Sequence, residues 1–202
     1  MKSWLVPLAA ASLAIAPAAA SVATGEKVRD FLLNDADGKV AQLYDYRGRT
    51  VVLEWNNPDC PFVRKHYDSG NMQKTQEAAR RAGAVWLTIN SGAPGLQGHM
   101  TGAQAKKYVA AHDARPNRYL LDPKGVVGRA FDARTTPHIY IIDANGVLVY
   151  QGGIDDRPTA DRADIAKARN HVLAALAELK AGKAVSVAET RPYGCSVKYS
   201  DG

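Results

Sequence analysis

Short apolar runs alternate with stretches of helical periodicity along most of the chain. Val51–Trp55 and residues 84–89 are continuous, mostly apolar runs, which are typical of strands buried on both faces of a sheet. Between them, residues 61–82 have helical spacing, with Pro61 suited to the first turn and Gly83 just after the end. The pattern predicts a strand, a helix and a second strand in direct succession.

Turn dipeptides predict two hairpins, one around Asp37-Gly38 and one around Asn145-Gly146. The other predicted elements are a short helix, a strand and a long final helix, over residues 103–112, 118–121 and 161–181. Strands joined by helices form a parallel sheet with both faces covered, and the last hairpin adds an antiparallel strand. The sequence thus predicts an α/β fold with a central mixed sheet flanked by helices and an N-terminal β-hairpin extension.

Residues 1–20 predict a secretory signal peptide. Lys2 is the only charged residue before Glu26, and the apolar stretch after it ends in Ala18-Ala19-Ala20, a small-residue cleavage pattern. The stretch is shorter than the roughly 20 apolar residues of a membrane span, so an uncleaved anchor is the less favoured alternative. We expect a periplasmic or secreted protein without stable membrane insertion, with one domain over residues 21–182 and a C-terminal tail over 183–202.

Composition narrows the class of protein. The chain has 202 residues, a formal net charge of +6, 46% hydrophobic residues and two cysteines. This content supports one folded domain and argues against intrinsic disorder. Two cysteines exclude a disulfide-stapled mini-fold and a four-cysteine zinc site. The charge is mild and no basic run stands out, so we expect no nucleic-acid partner.

Cys60 is the candidate nucleophile. It lies directly between the strand that ends at Trp55 and the helix that begins at Pro61. A thiol there faces the positive end of the helix dipole and unpaired backbone N–H groups, both of which favour the thiolate. The alternative is a buried, inert cysteine that acts as a small apolar side chain.

Two segments resemble the thioredoxin superfamily, closest to its redoxin and peroxiredoxin-like (alkyl hydroperoxide reductase/thiol-specific antioxidant) branch. Residues 51–63, Val-Val-Leu-Glu-Trp-Asn-Asn-Pro-Asp-Cys-Pro-Phe-Val, resemble its strand–nucleophile–helix segment. Residues 135–143, Thr-Thr-Pro-His-Ile-Tyr-Ile-Ile-Asp, resemble the Thr-cis-Pro strand that faces the nucleophile. The resemblance, over roughly residues 25–180, implies a thioredoxin-like fold with Thr136 and Pro137 beside the sulfur, where they could pair with a substrate strand.

Three residues depart from the patterns of these families. Val63 stands where a thioredoxin-type Cys-x-x-Cys would have its second cysteine. A peroxiredoxin has proline and threonine where this chain has Leu53 and Asn57. The standard dithiol and the standard peroxide pocket are therefore both missing, and Asn57 is a candidate hydrogen-bond donor to a bound oxygen atom.

Cys195 lies in the tail and has two interpretations. The tail is long enough to bring it to Cys60. Cys195 then acts either as a resolving cysteine, which attacks oxidised Cys60, or as one end of a permanent bridge that fixes the tail. Because residues 183–202 contain few large apolar side chains, we expect weak docking of the tail without the bridge.

Two further sets of polar residues are candidates. Glu54 lies within the apolar run before Cys60, at the spacing of the buried acid of thioredoxin; it acts in proton transfer or simply reaches solvent. The helix after Cys60 carries several basic residues, including Lys65, which we expect on a solvated face.

A copper site at Cys60 and His138 is less favoured. Copper-delivery proteins of this type use Cys-x-x-x-Cys, and this chain has Arg64 where the second cysteine would stand.

The resemblance and the residues together predict an exported thiol oxidoreductase with Cys60, Cys195 and Glu54 as catalytic residues. Asn57, Thr136 and Pro137 are the predicted substrate-binding residues. The expected partners are a protein disulfide or hydroperoxide substrate and a thiol electron donor, with no cofactor and no metal. The alternative is a non-catalytic binding module on the same scaffold, with a structural Cys60–Cys195 disulfide.

Overall fold

A seven-stranded mixed sheet forms the centre of the computed structural model, which describes residues 21–200. The signal peptide predicted over residues 1–20 lies outside this range. The strands are β1 (Leu32–Asp35), β2 (Val40–Gln42), β3 (Val51–Trp55), β4 (Val85–Asn90), β5 (Arg118–Leu121), β6 (Thr135–Thr136), β7 (His138–Ile142), β8 (Leu148–Gly152) and β9 (Cys195–Ser196). The helices are α1 (Pro61–Asp68), α2 (Asn71–Arg81), α3 (Gly102–Ala111), α4 (Val126–Ala130) and α5 (His171–Lys180).

The order of the strands in the sheet is β2-β1-β5-β4-β3-β7-β8. Strands β3, β4 and β5 are parallel, whereas β7 runs antiparallel to β3, with His138 opposite Trp55. Every residue of β3, β4 and β7 is buried, which explains their continuous apolar runs. The predicted α/β class, the mixed sheet and the N-terminal hairpin of β1 and β2 are confirmed.

Alternation along β3 divides the core into two layers. Val52 packs with α1, α2, α3 and α5 on one face of the sheet. Leu53 and Trp55 pack on the other face with α4 and the segment that precedes β1. Cys60, which lies at the end of the loop between β3 and α1, belongs to the layer beneath the larger set of helices.

Two predicted helices are interrupted in the structure. The helix predicted over residues 61–82 divides into α1 and α2 at Gly70, whose φ of 72° is outside the helical region. The helix predicted over residues 161–181 is a 3₁₀ turn (Arg162–Lys167) followed by α5, because Asn170 caps a new helix by accepting the Leu173 N–H at 3.0 Å. Across residues 21–200, no helix has the length and apolar character needed to cross a membrane.

The tail packs against the domain, and both cysteines are free thiols. Strand β9 pairs with β6, and the Val197 N–H donates to the carbonyl of Arg134 at 3.0 Å. The Tyr199 hydroxyl donates to the carbonyl of Ala133 at 2.7 Å. Weak docking without the bridge stays a prediction, and these backbone and side-chain hydrogen bonds add to the few apolar contacts on which it is based.

Candidate active site

Cys60 is the N-cap residue of α1 and is completely buried. Pro61 occupies the first turn of the helix, where its missing N–H leaves no unpaired donor. The Cys60 N–H donates to the carbonyl of Asn57 at 3.1 Å, and the Cys60 carbonyl accepts the Arg64 N–H at 3.0 Å. The backbone of Cys60 is thus held at the N-terminal end of α1, where the helix dipole favours negative charge on the sulfur.

The Thr136–Pro137 segment lies against the sulfur. The peptide bond between these two residues is cis, and Thr136 is buried. The thiol of Cys60 donates to the Thr136 carbonyl at 3.0 Å. The structure thus places the Thr136–Pro137 segment beside Cys60, as the resemblance to the thioredoxin superfamily implies.

Cys195 completes this arrangement from the opposite side. In the antiparallel pair of β6 and β9 it lies opposite Thr136, and the Thr136 hydroxyl donates to its carbonyl at 3.4 Å. Partial burial and the neighbouring Cys60 side chain raise the pKa of Cys195 to about 11. Cys195 is therefore protonated at neutral pH, and it packs at the edge of the core layer that contains Cys60.

Asn57 is buried in the loop between β3 and α1. Its Oδ1 atom accepts the Asp59 N–H at 2.9 Å. Its side chain also fills the space beside Gly98, whose φ of 82° and missing Cβ allow the close approach. These contacts shape the loop that presents Cys60.

Glu54 is fully buried, and five side-chain donors surround its carboxylate. Tyr67 and Trp86 donate at 2.8 and 2.9 Å, and the other donors are Asn56, Gln76 and Thr88. Burial raises the pKa of Glu54, although these hydrogen bonds oppose the rise. None of the five donors is a cysteine, so a proton passing between Glu54 and Cys60 would need a group or a water molecule between them.

A cluster of buried polar residues behind Cys195 was missed from the sequence. Lys65, which was expected on a solvated face, has a completely buried side chain 3.8 Å from the Asp155 carboxylate. His66 and Tyr193 lie beside the same carboxylate. The expectation for Lys65 was wrong because its partner lies far along the chain, after β8. The available signal was an aromatic residue, Tyr193, two positions before a cysteine in a polar tail.

His138 faces the layer of the core away from the α1 helix. Its Nδ1 atom accepts the Arg134 N–H at 3.4 Å and lies 3.1 Å from the Tyr140 hydroxyl, and burial lowers its pKa to about 3. In the part of the chain that the structure describes, no three His, Cys, Asp or Glu side chains converge as metal ligands would.

Comparisons with known proteins agree with this geometry. The sequence model of the AhpC/TSA family matches residues 24–151. Thiol-disulfide oxidoreductase ResA from Geobacillus thermodenitrificans (strain NG80-2) is 26% identical over 126 residues, which cover 62% of this chain and 67% of that relative.

Solved structures extend the similarity over most of the chain. A hypothetical protein from Sinorhizobium meliloti 1021 has a TM-score of 0.75 and 26% identity, and the match covers 91% of this chain and 98% of that one. A putative thiol:disulfide interchange protein DsbE from Chlorobium tepidum has a TM-score of 0.53 and 27% identity, over 65% and 85% of the two chains. The predicted thioredoxin-like fold is confirmed.

Proposed function

Because the chain belongs to the AhpC/TSA family, we propose that it is an exported thiol-dependent oxidoreductase in which Cys60 is the nucleophile and Cys195 is the resolving cysteine. Thiol-disulfide exchange is the proposed reaction. The similarity to a thiol-disulfide oxidoreductase supports it, as does the replacement of the peroxiredoxin proline and threonine by Leu53 and Asn57. The apolar segment of residues 1–20 supports export.

One observation carries the proposal. Thr136 accepts the hydrogen bond of the Cys60 thiol, and Cys195 is the residue opposite Thr136 in the β6–β9 pair. A single residue therefore contacts the thiol of one cysteine and the backbone of the other. Such proximity of two thiols converts their reaction into an intramolecular step.

The reaction has two exchange steps. The Cys60 thiolate attacks one sulfur of a substrate disulfide; a bond forms between the two sulfurs, the substrate bond breaks and the first substrate thiolate leaves. Cys195 then loses its proton to water and attacks the Cys60 sulfur. The Cys60–Cys195 bond forms and the second substrate thiolate leaves. The substrate gains two electrons and the chain loses two, so an external thiol must reduce the new bond before another cycle.

The contacts of Cys195 favour this order of events. Its raised pKa keeps it protonated while Cys60 is reduced, and part of that rise comes from the Cys60 thiol and its charge. Once Cys60 is in a mixed disulfide, it carries neither a thiol proton nor a negative charge. Cys195 then loses its proton more easily, at the stage when its nucleophilicity is needed.

Titration of the mature chain with an aromatic disulfide tests the proposal, since each released thiol absorbs light. We expect the wild type to release both halves of the reagent and to finish with the Cys60–Cys195 bond. Cys195→Ser should release one half and retain the other as an adduct detectable by mass. Cys60→Ser should react far more slowly, because its remaining thiol is Cys195. Equal losses in the two variants would contradict the distinct roles.

The redox potential of the bridge separates this function from that of a binding module with a permanent disulfide. An exchangeable pair has a potential of about −120 to −250 mV, whereas structural disulfides lie below about −300 mV. We expect the exchangeable range. A value in the lower range would favour the binding module.

A further inference from the structure

The polar cluster behind Cys195 is built around one carboxylate. Asp155 follows β8 and is buried, as are Lys65 and His66 on α1. The Lys65 ammonium donates to the carbonyl of Arg157 at 2.8 Å, and the Asp155 carboxylate accepts the Arg157 N–H at 2.9 Å. Buried charges of opposite sign are thus held in place by hydrogen bonds as well as by each other.

Tyr193 inserts its hydroxyl into this cluster from the tail. The hydroxyl donates to the Asp155 carboxylate and lies 3.1 Å from Nε2 of His66. The side-chain amide of Asn71 donates to Nδ1 of His66 at 2.8 Å, so the proton of the neutral ring is on Nε2 and points at Tyr193. The tyrosine oxygen therefore donates one hydrogen bond and accepts another, each to a buried side chain of the domain.

The hydroxyl contacts of Tyr193 lie only two residues along the chain from Cys195. Gly194 is the single residue between them, and its φ is 129°. A Cβ atom on Gly194 would overlap the carbonyl oxygen of Thr136, the same oxygen that accepts the Cys60 thiol. Between Tyr193 and Cys195, the backbone at Gly194 thus lies in direct contact with Thr136 of the active site.

The ring of Tyr193 packs against the edge of the core, with the Lys65 ammonium 5.7 Å from its centroid. Its ring contacts Phe62 edge-on, at 5.9 Å between centroids. It also borders a cavity of about 610 Å³, which Phe62, Pro158 and His171 line as well. Packing surrounds the ring only in part, and the two hydroxyl contacts add directional restraints to it.

We propose that Tyr193 is a positioning residue, whose hydroxyl, held by Asp155 and His66, keeps Cys195 opposite Thr136 and beside Cys60. This inference rests on the proposed function, because it concerns the step in which Cys195 attacks the mixed disulfide. It assigns Tyr193 to that second step and not to the first attack by Cys60.

The test compares Tyr193→Phe with Tyr199→Phe in the full mature chain. Both tyrosines belong to the tail, and each donates its hydroxyl to the domain. With the aromatic disulfide, Tyr193→Phe should slow the release of the second thiol by at least about tenfold, because it removes two hydrogen bonds and the loss of each is worth about three- to tenfold. Release of the first thiol should not slow, and Tyr199→Phe should change neither rate by more than about twofold.

A second pair of variants replaces the partner on the domain. His66→Gln keeps an N–H donor for the tyrosine oxygen and should retain the second rate. His66→Leu should slow that rate by about three- to tenfold, because it removes one of the two hydrogen bonds of the tyrosine hydroxyl. Thermal unfolding of each variant checks that it is folded. A general loss of stability would not slow one thiol release while sparing the other.

Each outcome has a defined meaning. If the wild type resolves its mixed disulfide and Tyr193→Phe resolves it equally fast, the positioning role is overturned and the proposed function stands. If the wild type itself retains the mixed disulfide, Cys195 is not a resolving cysteine and both proposals are overturned.

Discussion

Cys195 lies directly opposite Thr136 in the antiparallel pair of β6 and β9. This edge, next to the cis Thr136–Pro137 bond, is where the sequence predicts that a substrate strand would pair. In the structure the chain's own tail occupies it, and Cys60 is completely buried beneath. A polypeptide disulfide can therefore reach Cys60 only when β9 leaves this edge, so access to the nucleophile depends on local opening of the tail.

Substitution of Gly194 tests the close approach of the tail. We expect Gly194→Ala to displace β9, since its Cβ would overlap the Thr136 carbonyl oxygen, and so to slow disulfide formation. The matched control is Gly182→Ala, where φ is also positive, at 68°, but no atom lies within 4 Å of the added Cβ. The control should lose about 1–2 kcal/mol of unfolding free energy from its backbone conformation alone.

Urea unfolding and thiol release measure the two effects separately. Gly194→Ala should lose more stability than the control and should also resolve its mixed disulfide more slowly. If both variants lose the same free energy and react at the wild-type rate, the contact between Gly194 and Thr136 is not important for either property.

The central sheet and the position of Cys60 could be predicted because their signals are local. The apolar run of β3, the cysteine and Pro61 follow one another directly in the sequence. The tail could not be placed in this way, because its pairing joins two-residue strands 59 positions apart. Such a pairing leaves no periodicity in the sequence.

Lys65 illustrates the same limit for the site. Its position on a basic helix favours exposure, and only Asp155, which the fold brings from beyond β8, explains its burial. The burial of Glu54 was easier to predict, because an acid within an apolar run indicates burial. Its five hydrogen-bond donors could not be predicted in the same way, because the run itself does not specify them.

The charge of Glu54 should appear in the pH dependence of stability. Burial raises its pKa in the folded chain above the ordinary value of 4.5. Between those two values the folded chain binds more protons than the unfolded chain, so the free energy of unfolding falls as pH rises through this window. The fall is about 1.4 kcal/mol for each pH unit of the shift, and Glu54→Gln should abolish it.

Urea unfolding from pH 5 to pH 8 measures this difference, with Glu77→Gln as the matched control. Glu77 is a partly exposed helix residue whose pKa is lowered by its hydrogen bond to Arg80, so its removal should leave the fall attributed to Glu54 in place. Parallel stability curves for wild type and Glu54→Gln would exclude the raised pKa. The same variants also test whether Glu54 takes part in proton transfer. A changed pH–rate profile for the first thiol release would assign Glu54 a part in catalysis. An unchanged profile would limit its role to stability.

The docked tail should remain protected from hydrogen exchange when both cysteines are reduced. Val197 donates its N–H to the Arg134 carbonyl and Thr190 donates to the Gln151 carbonyl, and neither contact requires a disulfide. We expect both amides to exchange at least about tenfold more slowly than the Ser186 amide, whose contact with Glu178 is exposed to solvent. They should still exchange faster than the amides of β4, because the tail must open for substrate while the sheet stays closed. Exchange of reduced Val197 at the rate of Ser186 would mean that the bridge, and not the contacts of β9, holds the tail in place.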